Sequence, residues 1–217
     1  MKILAIETAT PIASVAIKMG DHILERRLQD PAARAEGVLD LLRDLLAEAG
    51  VGLDAMEAIA FGRGPGSFTG LRVAAAVAQG LAYAKGLAVI PVSSLAALAQ
   101  EATGIEILAA MDARRDEIYY GLFRRSKEGL VEAVGPERLG PPSSIQRPEG
   151  AYVGVGSGFD HYPELRGGSC GMSYEPHRVP SARSVAVLAE AVYRRGGWVT
   201  PMQALPVYLR DDVAKAR

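Results

Sequence analysis

The chain has a single cysteine, three histidines and no asparagine in 217 residues. Cys170 alone closes no internal disulfide, which fits a reducing cytoplasm. His22, His161 and His177 lie far apart in sequence and give no metal-ligand spacing. Neither charge is in excess: 24 basic residues face 25 acidic ones, a formal net charge of −1. That balance argues against binding nucleic acid by bulk electrostatics, which needs a basic surplus. Long apolar runs are missing too. Residues 3–6 stop at Glu7, and no run reaches the roughly 18 residues of a membrane span, so neither a signal peptide nor a membrane helix is expected. Lysine is scarce, at 5 against 19 arginines. With the missing asparagine, this suits a heat-tolerant source or, equally well, a biased base composition. Hydrophobic residues are not lacking: at 49% they exclude intrinsic disorder and suffice for a sizeable core. The expectation is a soluble cytoplasmic protein without a visible catalytic cluster.

What is present is ordered. Residues 2–7 form an apolar run ending on an acid, the pattern of a buried strand that delivers a carboxylate to its C-terminal end. Residues 13–18 and 22–28 alternate about the break at Gly20 and Asp21, which predicts three antiparallel strands. A helix over 33–49 follows, stopped by Gly50. Its apolar positions, Val38, Leu39, Leu41, Leu42, Leu45, Leu46 and Ala49, span an arc of about 160° at about 100° per residue. A helix on a sheet needs about 100°. The surplus, from Leu39 and Leu46, calls for a second partner, either a neighbouring helix of the same domain or another chain. A strand over 56–61, a glycine-rich loop, a helix over 69–85 capped by Gly86, a strand over 87–92 and a helix opening near Ser93 complete a βββαβαβα series.

The pattern then restarts. Residues 107–114 echo residues 3–9: an apolar strand, an acid, a short turn and a second strand, here 117–123, with a third over 130–136. The offset of about 104 residues, close to half the chain, predicts a duplicated α/β fold with lobes 1–104 and 105–217. The second lobe is less regular. It has loops at 140–142 and 167–171, a strand over 151–155, a helix over 181–195 capped by Ser181, a last strand over 205–209 and a charged tail over 210–217.

Three features could carry chemistry. The loop Gly62, Arg63, Gly64, Pro65, Gly66, Ser67, Phe68, Thr69, Gly70 precedes a helix, so its N–H groups could cradle an anion. It matches neither a Walker loop nor G-x-G-x-x-G, and the alternative is a tight turn in which Ser67 or Thr69 caps the helix. The helix that follows is apolar nearly all round, with Arg72 and Gln79 marking a wetter edge, which suggests burial on more than one side. Small residues such as Ala75 and Ala78 would let another helix approach closely. Leu39, Leu46, Arg72, Ala75, Ala78 and Gln79 are therefore the expected partner interface. Third, Glu7 and Asp112 sit at equivalent strand ends. With Thr8 they are candidates for a nucleotide–metal site across a cleft, or else each acid accepts backbone N–H bonds within its own turn. No serine lies in G-x-S-x-G, no histidine accompanies Ser67, and Cys170 has no activating pattern, so no catalytic nucleophile is assigned.

Residues 3–10, the block Gly62 to Arg72 (GRGPGSFTGLR), Asp112-Ala113-Arg114 and Pro206-Val207-Tyr208-Leu209-Arg210 together resemble the bacterial TsaB family of tRNA threonylcarbamoyladenosine biosynthesis proteins, from end to end. The resemblance implies a two-domain fold of the actin/Hsp70/sugar-kinase (ribonuclease H-like) type. It also implies a non-catalytic assembly role beside a paralogous TsaD-type catalytic subunit and a TsaE-type ATPase, with threonylcarbamoyl transferred to the tRNA adenosine next to the anticodon. ATP and a metal would then be used by the partners, with no cofactor on this chain. The H-x-x-x-H pair of the catalytic paralogue is missing from residues 33–49, and the family's frequent histidine near that helix start is replaced by Arg34-Ala35. The family's common first-strand aspartate is here Glu7, which speaks against nucleotide in this chain's own cleft. Without its partner the chain would form a homodimer. The other reading is an ATP-binding enzyme of the same superfamily, a sugar-kinase-like ATPase or a protease. Direct tRNA contact through Arg194, Arg195, Arg210, Lys215 and Arg217 is a third idea, with tRNA expected to be met through the complex.

Overall fold

The computed structural model describes residues 1–28, 34–147, 149–167 and 171–210, with only the backbone described for 34–36. Cys170, Lys215 and Arg217 lie outside the described residues. β1 (Lys2–Glu7) is the central strand of the first sheet, and its two faces alternate into two cores. Ile3 and Ala5 join one cluster, Leu4 and Ile6 the other. A strand covered on both faces needs this continuous apolar run rather than an alternating one. β2 (Ala13–Met19) and β3 (His22–Leu28) pair antiparallel beside it; β4 (Ala58–Gly64) and β5 (Ala88–Ser93) extend it in parallel, in the order β3-β2-β1-β4-β5.

The second sheet repeats that plan. β6 (Glu106–Arg114), β7 (Glu117–Arg125) and β8 (Val131–Ala133) run antiparallel, while β10 (Tyr152–Val155) and β11 (Met172–Glu175) are parallel to β6. The order is β11-β10-β6-β7-β8, with β9 (Arg138–Gly140) paired to β7. Strand for strand this is the first sheet's topology, so the duplicated α/β fold expected from the strand echo is the fold observed.

Helices distribute by which face they cover. α1 (Arg34–Glu48) and α2 (Phe68–Lys85) lie on the outer face of the first sheet through Val38, Leu42, Leu45, Ala74, Ala78 and Ala82. α3 (Ser94–Gln100) follows the first sheet yet packs mainly on β6, β7 and β8. α5 (Ala182–Arg194) follows the second sheet and packs on β1, β2, β4 and β5. The lobes thus exchange a helix, and α3 meets α5 between the sheets. The exchange is pinned where α5 starts: Ala182 N donates to Ser14 Oγ at 2.8 Å, and Ser181 caps the helix as expected. It is pinned again by the Lys18–Glu190 ion pair, 2.6 Å long and largely buried. Residues 182–204, which the half-chain division groups with the second lobe, therefore return to the first sheet.

Two expectations fail in the second half. Residues 205–209 form no strand: Val207 N makes one bond, to Arg63 O at 2.8 Å, and Pro206 has no N–H to extend a ladder. The third strand keeps only Val131–Ala133 of the expected 130–136, because Gly135 and Pro136 turn the chain into β9. The short β9, β11 and α4 (Ser157–His161) were not expected. Among the described residues no helix is long and apolar enough to cross a membrane.

Candidate functional site

The glycine-rich loop leaves β4 and folds over the end of β1. Ser67 N donates to Ala9 O at 2.8 Å, and Ser67 Oγ accepts from Gly70 N as the N-cap of α2. Thr8 Oγ1 donates to Gly70 O at 2.6 Å. Two glycines are required by proximity. A Cβ on Gly70 would stand 1.9 Å from Thr8 O, and one on Gly62 would stand 2.0 Å from Glu7 Oε2. Gly64 and Gly66 pass equally close to Leu71 and Ala9, on either side of the cis peptide at Pro65. The loop is a tight strand-to-helix turn capped by Ser67. Thr69 starts the helix without serving as its cap.

The two acids stay in their own turns. Glu7 is fully buried; its Oε1 accepts from Ala9 N at 2.7 Å and its Oε2 from Ser94 Oγ at 2.8 Å. Burial pushes its carboxyl above the ordinary carboxylate range, against the pull of those bonds. Asp112 Oδ1 accepts from Arg114 N at 2.9 Å, and Oδ2 lies 3.4 Å from the Arg114 guanidinium. Each acid thus reaches the N–H two residues on, the same Asx-type brace at equivalent places in the two lobes. Asp112 lines the interlobe cavity and Glu7 does not. Both oxygens of Glu7 and the hydroxyl of Thr8 are engaged within the protein, so these residues do not fit a nucleotide-bound cation. Among the described residues, no three histidine, cysteine, aspartate or glutamate side chains converge as a metal site.

Between the lobes is a cavity of about 490 Å³. Its wall brings together residues far apart in sequence: Pro11, Phe68 and Asp112 with Tyr119, Arg178 and Arg210. Burial raises the Tyr119 hydroxyl, partly offset by the nearby Arg210 charge. Sequence reasoning missed Arg115, Tyr119 and Arg178 as neighbours, since only the sheet-to-sheet closure joins them. Over the mouth runs a strap. Gln79 donates to Ala204 O at 3.0 Å, Val207 N to Arg63 O, and Arg210 Nη2 to Ala113 O at 3.1 Å and to Glu117. Phe68, Tyr208 and Arg72 stack beside it, with the Arg72 guanidinium 3.8 Å from the Phe68 ring. Arg194 and Arg195, proposed for tRNA with Arg210, pair with Glu190 and Glu132.

The expected partner face needs a correction. Ala75 and Ala78 are 4% and 0% exposed and belong to the chain's own core, with Leu71, Ala74 and Ala82. The outward stripe of α2 is Val73, Ala76, Val77, Gly80 and Ala84, on the opposite side at helical spacing. Because α2 is apolar all round, composition does not tell which side faces in. On α1, Leu39 is exposed at 51% whereas Leu46 packs partly against the core. Gln79 and Arg72 are held by the strap and its aromatic pair.

A family model described as TsaD: tRNA N6-adenosine threonylcarbamoyltransferase matches residues 32–151. The tRNA threonylcarbamoyladenosine biosynthesis protein TsaB of Escherichia coli is 35% identical over 99% of this chain and 96% of its own length. The Haemophilus influenzae TsaB is 33% identical over 98% and 95%. A solved structure of YeaZ from Pseudomonas aeruginosa superposes with a TM-score of 0.89 at 39% identity, covering 96% of this chain and 99% of that one. Similarity of this extent, over both lobes and the glycine-rich turn between them, shows that the chain belongs to the TsaB family.

Proposed function

We propose that the chain is a non-catalytic assembly subunit in the biosynthesis of tRNA threonylcarbamoyladenosine, working with a TsaD-type catalytic subunit and a TsaE-type ATPase. The observation that carries this reading is the locked acid: Glu7 is buried and held by Ala9 and Ser94, leaving no paired carboxylates to work on a nucleotide. The full-length likeness to TsaB proteins supplies the pathway.

Docking would use the outer side of α1 and α2, where Leu39 stands exposed and α2 presents Val73, Ala76, Val77 and Gly80. Small and apolar side chains on a pair of packed helices let another helix approach closely and bury apolar area. Without its partner the same face would pair two copies of this chain. tRNA would be met through the complex, consistent with a net charge of −1.

Co-purification of Leu39→Glu and Ala76→Arg with the TsaD-type subunit tests the reading. Loss of the partner from folded variants is expected, and retained binding by both overturns this interface. ATP turnover by the isolated chain with magnesium, abolished in Asp112→Ala, would instead support the superfamily-enzyme reading.

A further inference from the structure

The assembly reading makes no use of the interlobe cavity. Its volume of about 490 Å³ falls in the usual range for small-molecule sites, roughly 300–1,000 Å³. The wall has two chemistries. Phe68, Met111, Tyr119 and Val179 give it an apolar, partly aromatic side. Arg114, Arg115, Arg178 and Arg210 give it four guanidinium groups against one carboxylate, that of Asp112.

The arginines are held in place from outside the cavity. Arg178 pairs with Glu175 at 3.1 Å and Arg210 with Glu117, acids that do not line the wall. Their stems are thereby ordered without adding negative charge to the cavity surface. Arg115 has no acid partner among the described residues. It sits in the β6–β7 turn, where Arg114, Arg115 and Asp116 have φ of 62°, 56° and 56°. This left-handed conformation is disfavoured for any residue with a Cβ, yet none of the three is glycine. Asp112 braces the turn through Arg114 N, and Arg210 grips its Ala113 carbonyl. The turn is thus built to present two arginines at the cavity rim, where glycine would be more comfortable for the backbone.

We propose that this cavity binds a small phosphate-bearing ligand of nucleotide size, held by arginine guanidiniums with no metal ion. Guanidinium forks match phosphate oxygens two at a time, and the aromatic and apolar side offers a surface on which a flat base is buried. Because Glu7 is turned inward and used by Ala9 and Ser94, the site offers no acid pair for a divalent cation. A concave site of this size accommodates one nucleotide rather than a length of RNA backbone. The proposal stands apart from the assembly reading, since the cavity and the α1–α2 face are different surfaces.

Calorimetric titration of the purified full chain with ADP, once in EDTA and once in magnesium, tests it. Inorganic phosphate, adenosine and an anticodon stem-loop RNA are the comparison probes. The expected result is ADP binding of the same affinity, within about twofold, in both buffers, with adenosine much weaker. Arg115→Gly is expected to weaken ADP about tenfold or more without lowering the melting temperature, because glycine accepts the left-handed turn. Arg178→Ala, on a different element, provides the second variant. No binding at about millimolar ADP overturns the proposal. So does binding that requires magnesium, RNA bound in place of ADP, or affinity unchanged in both variants.

Discussion

The Ser94 hydroxyl, at the start of α3, donates to Glu7 Oε2 at the end of β1 over 2.8 Å, and both side chains are 0% exposed. α3 is the helix that crosses from the first sheet to cover the second. The acid expected at a nucleotide cleft is therefore a brace between the first sheet and the helix linking the lobes, and its neighbours are shaped to it.

The first prediction concerns pH. Burial raises the Glu7 pKa in the folded chain above its ordinary 4.5, so the native state retains this proton at pH values where the unfolded chain has lost it. More protons bound in the native state means stability that falls as pH rises. The contribution is present below the unfolded value of 4.5 and is lost as pH climbs through the higher folded value. Glu7→Gln cannot titrate, so urea melts should show its stability gaining on the parent chain as pH rises from 4.5. A gap independent of pH would mean that Glu7 is ionised alike in both states.

Gly62 provides a second test of the same brace. A Cβ there would stand 2.0 Å from Glu7 Oε2 and 2.6 Å from Cδ, in a region with no exposed edge to relax into. Gly62→Ala should cost about 1–3 kcal/mol, as overpacking does in well-filled cores. In Glu7→Ala the carboxylate is gone, so adding Gly62→Ala should cost less than it does alone. The pair should couple by about 0.5–3 kcal/mol in denaturant melts. Additive losses would show that Gly62 is needed for its backbone freedom and not for the space.

How much of this could be read from the chain depended on the distance over which each feature is decided. The first-lobe strands and helices follow from local patterns, as do the caps at Ser67, Ser181 and Gly86. The duplicated order followed because the buried strands 3–6 and 107–111 both end on an acid. Which side of α2 faces the sheet was not legible, because Val73 and Ala74 carry the same hydrophobic signal while pointing to opposite sides. Nor was the cavity, since Arg115, Arg178 and Arg210 meet only after α3 and α5 have exchanged sheets. The misread strand over 205–209 has strand-like composition but borrows its one ladder bond from Arg63.

The corrected α2 orientation separates two substitutions that look alike on paper. Ala75 is 4% exposed and sits in the outer core, so Ala75→Arg would bury a guanidinium without a partner and cost more than about 4 kcal/mol. Leu39 is 51% exposed, and Leu39→Glu should change stability by no more than about 0.5 kcal/mol. Circular dichroism melts should find Ala75→Arg unfolded or much weakened and Leu39→Glu near the parent. Sedimentation of Leu39→Glu should then find less self-association, because apolar area at the proposed face has been replaced by charge. A stably folded Ala75→Arg would mean that α2 faces the sheet with its other side.

The strap from Ala204 to Arg210 makes a final prediction about motion between the lobes. It is anchored to the first lobe by Gln79 and Arg63 and to the second by Arg210, which donates to Ala113 O and pairs with Glu117. Arg210 retains 15% side-chain exposure and Glu117 34%, so the pair is partly shielded from solvent. Losing one partner leaves the other half-buried and uncompensated, which discounts the full cost of a broken buried pair to about 1–3 kcal/mol. Arg210→Ala should therefore lower the melting temperature modestly and speed hydrogen exchange in two places. One is the β6–β7 turn, whose left-handed residues lose an external clamp; the other is the Val207 amide, whose bond to Arg63 O depends on the strap lying flat. Exchange in the first-sheet strands β1 and β4 should stay slow, because their ladder does not involve the strap. If instead exchange quickened evenly across both sheets, Arg210 would be supporting the whole fold and not a local tie across the cavity mouth.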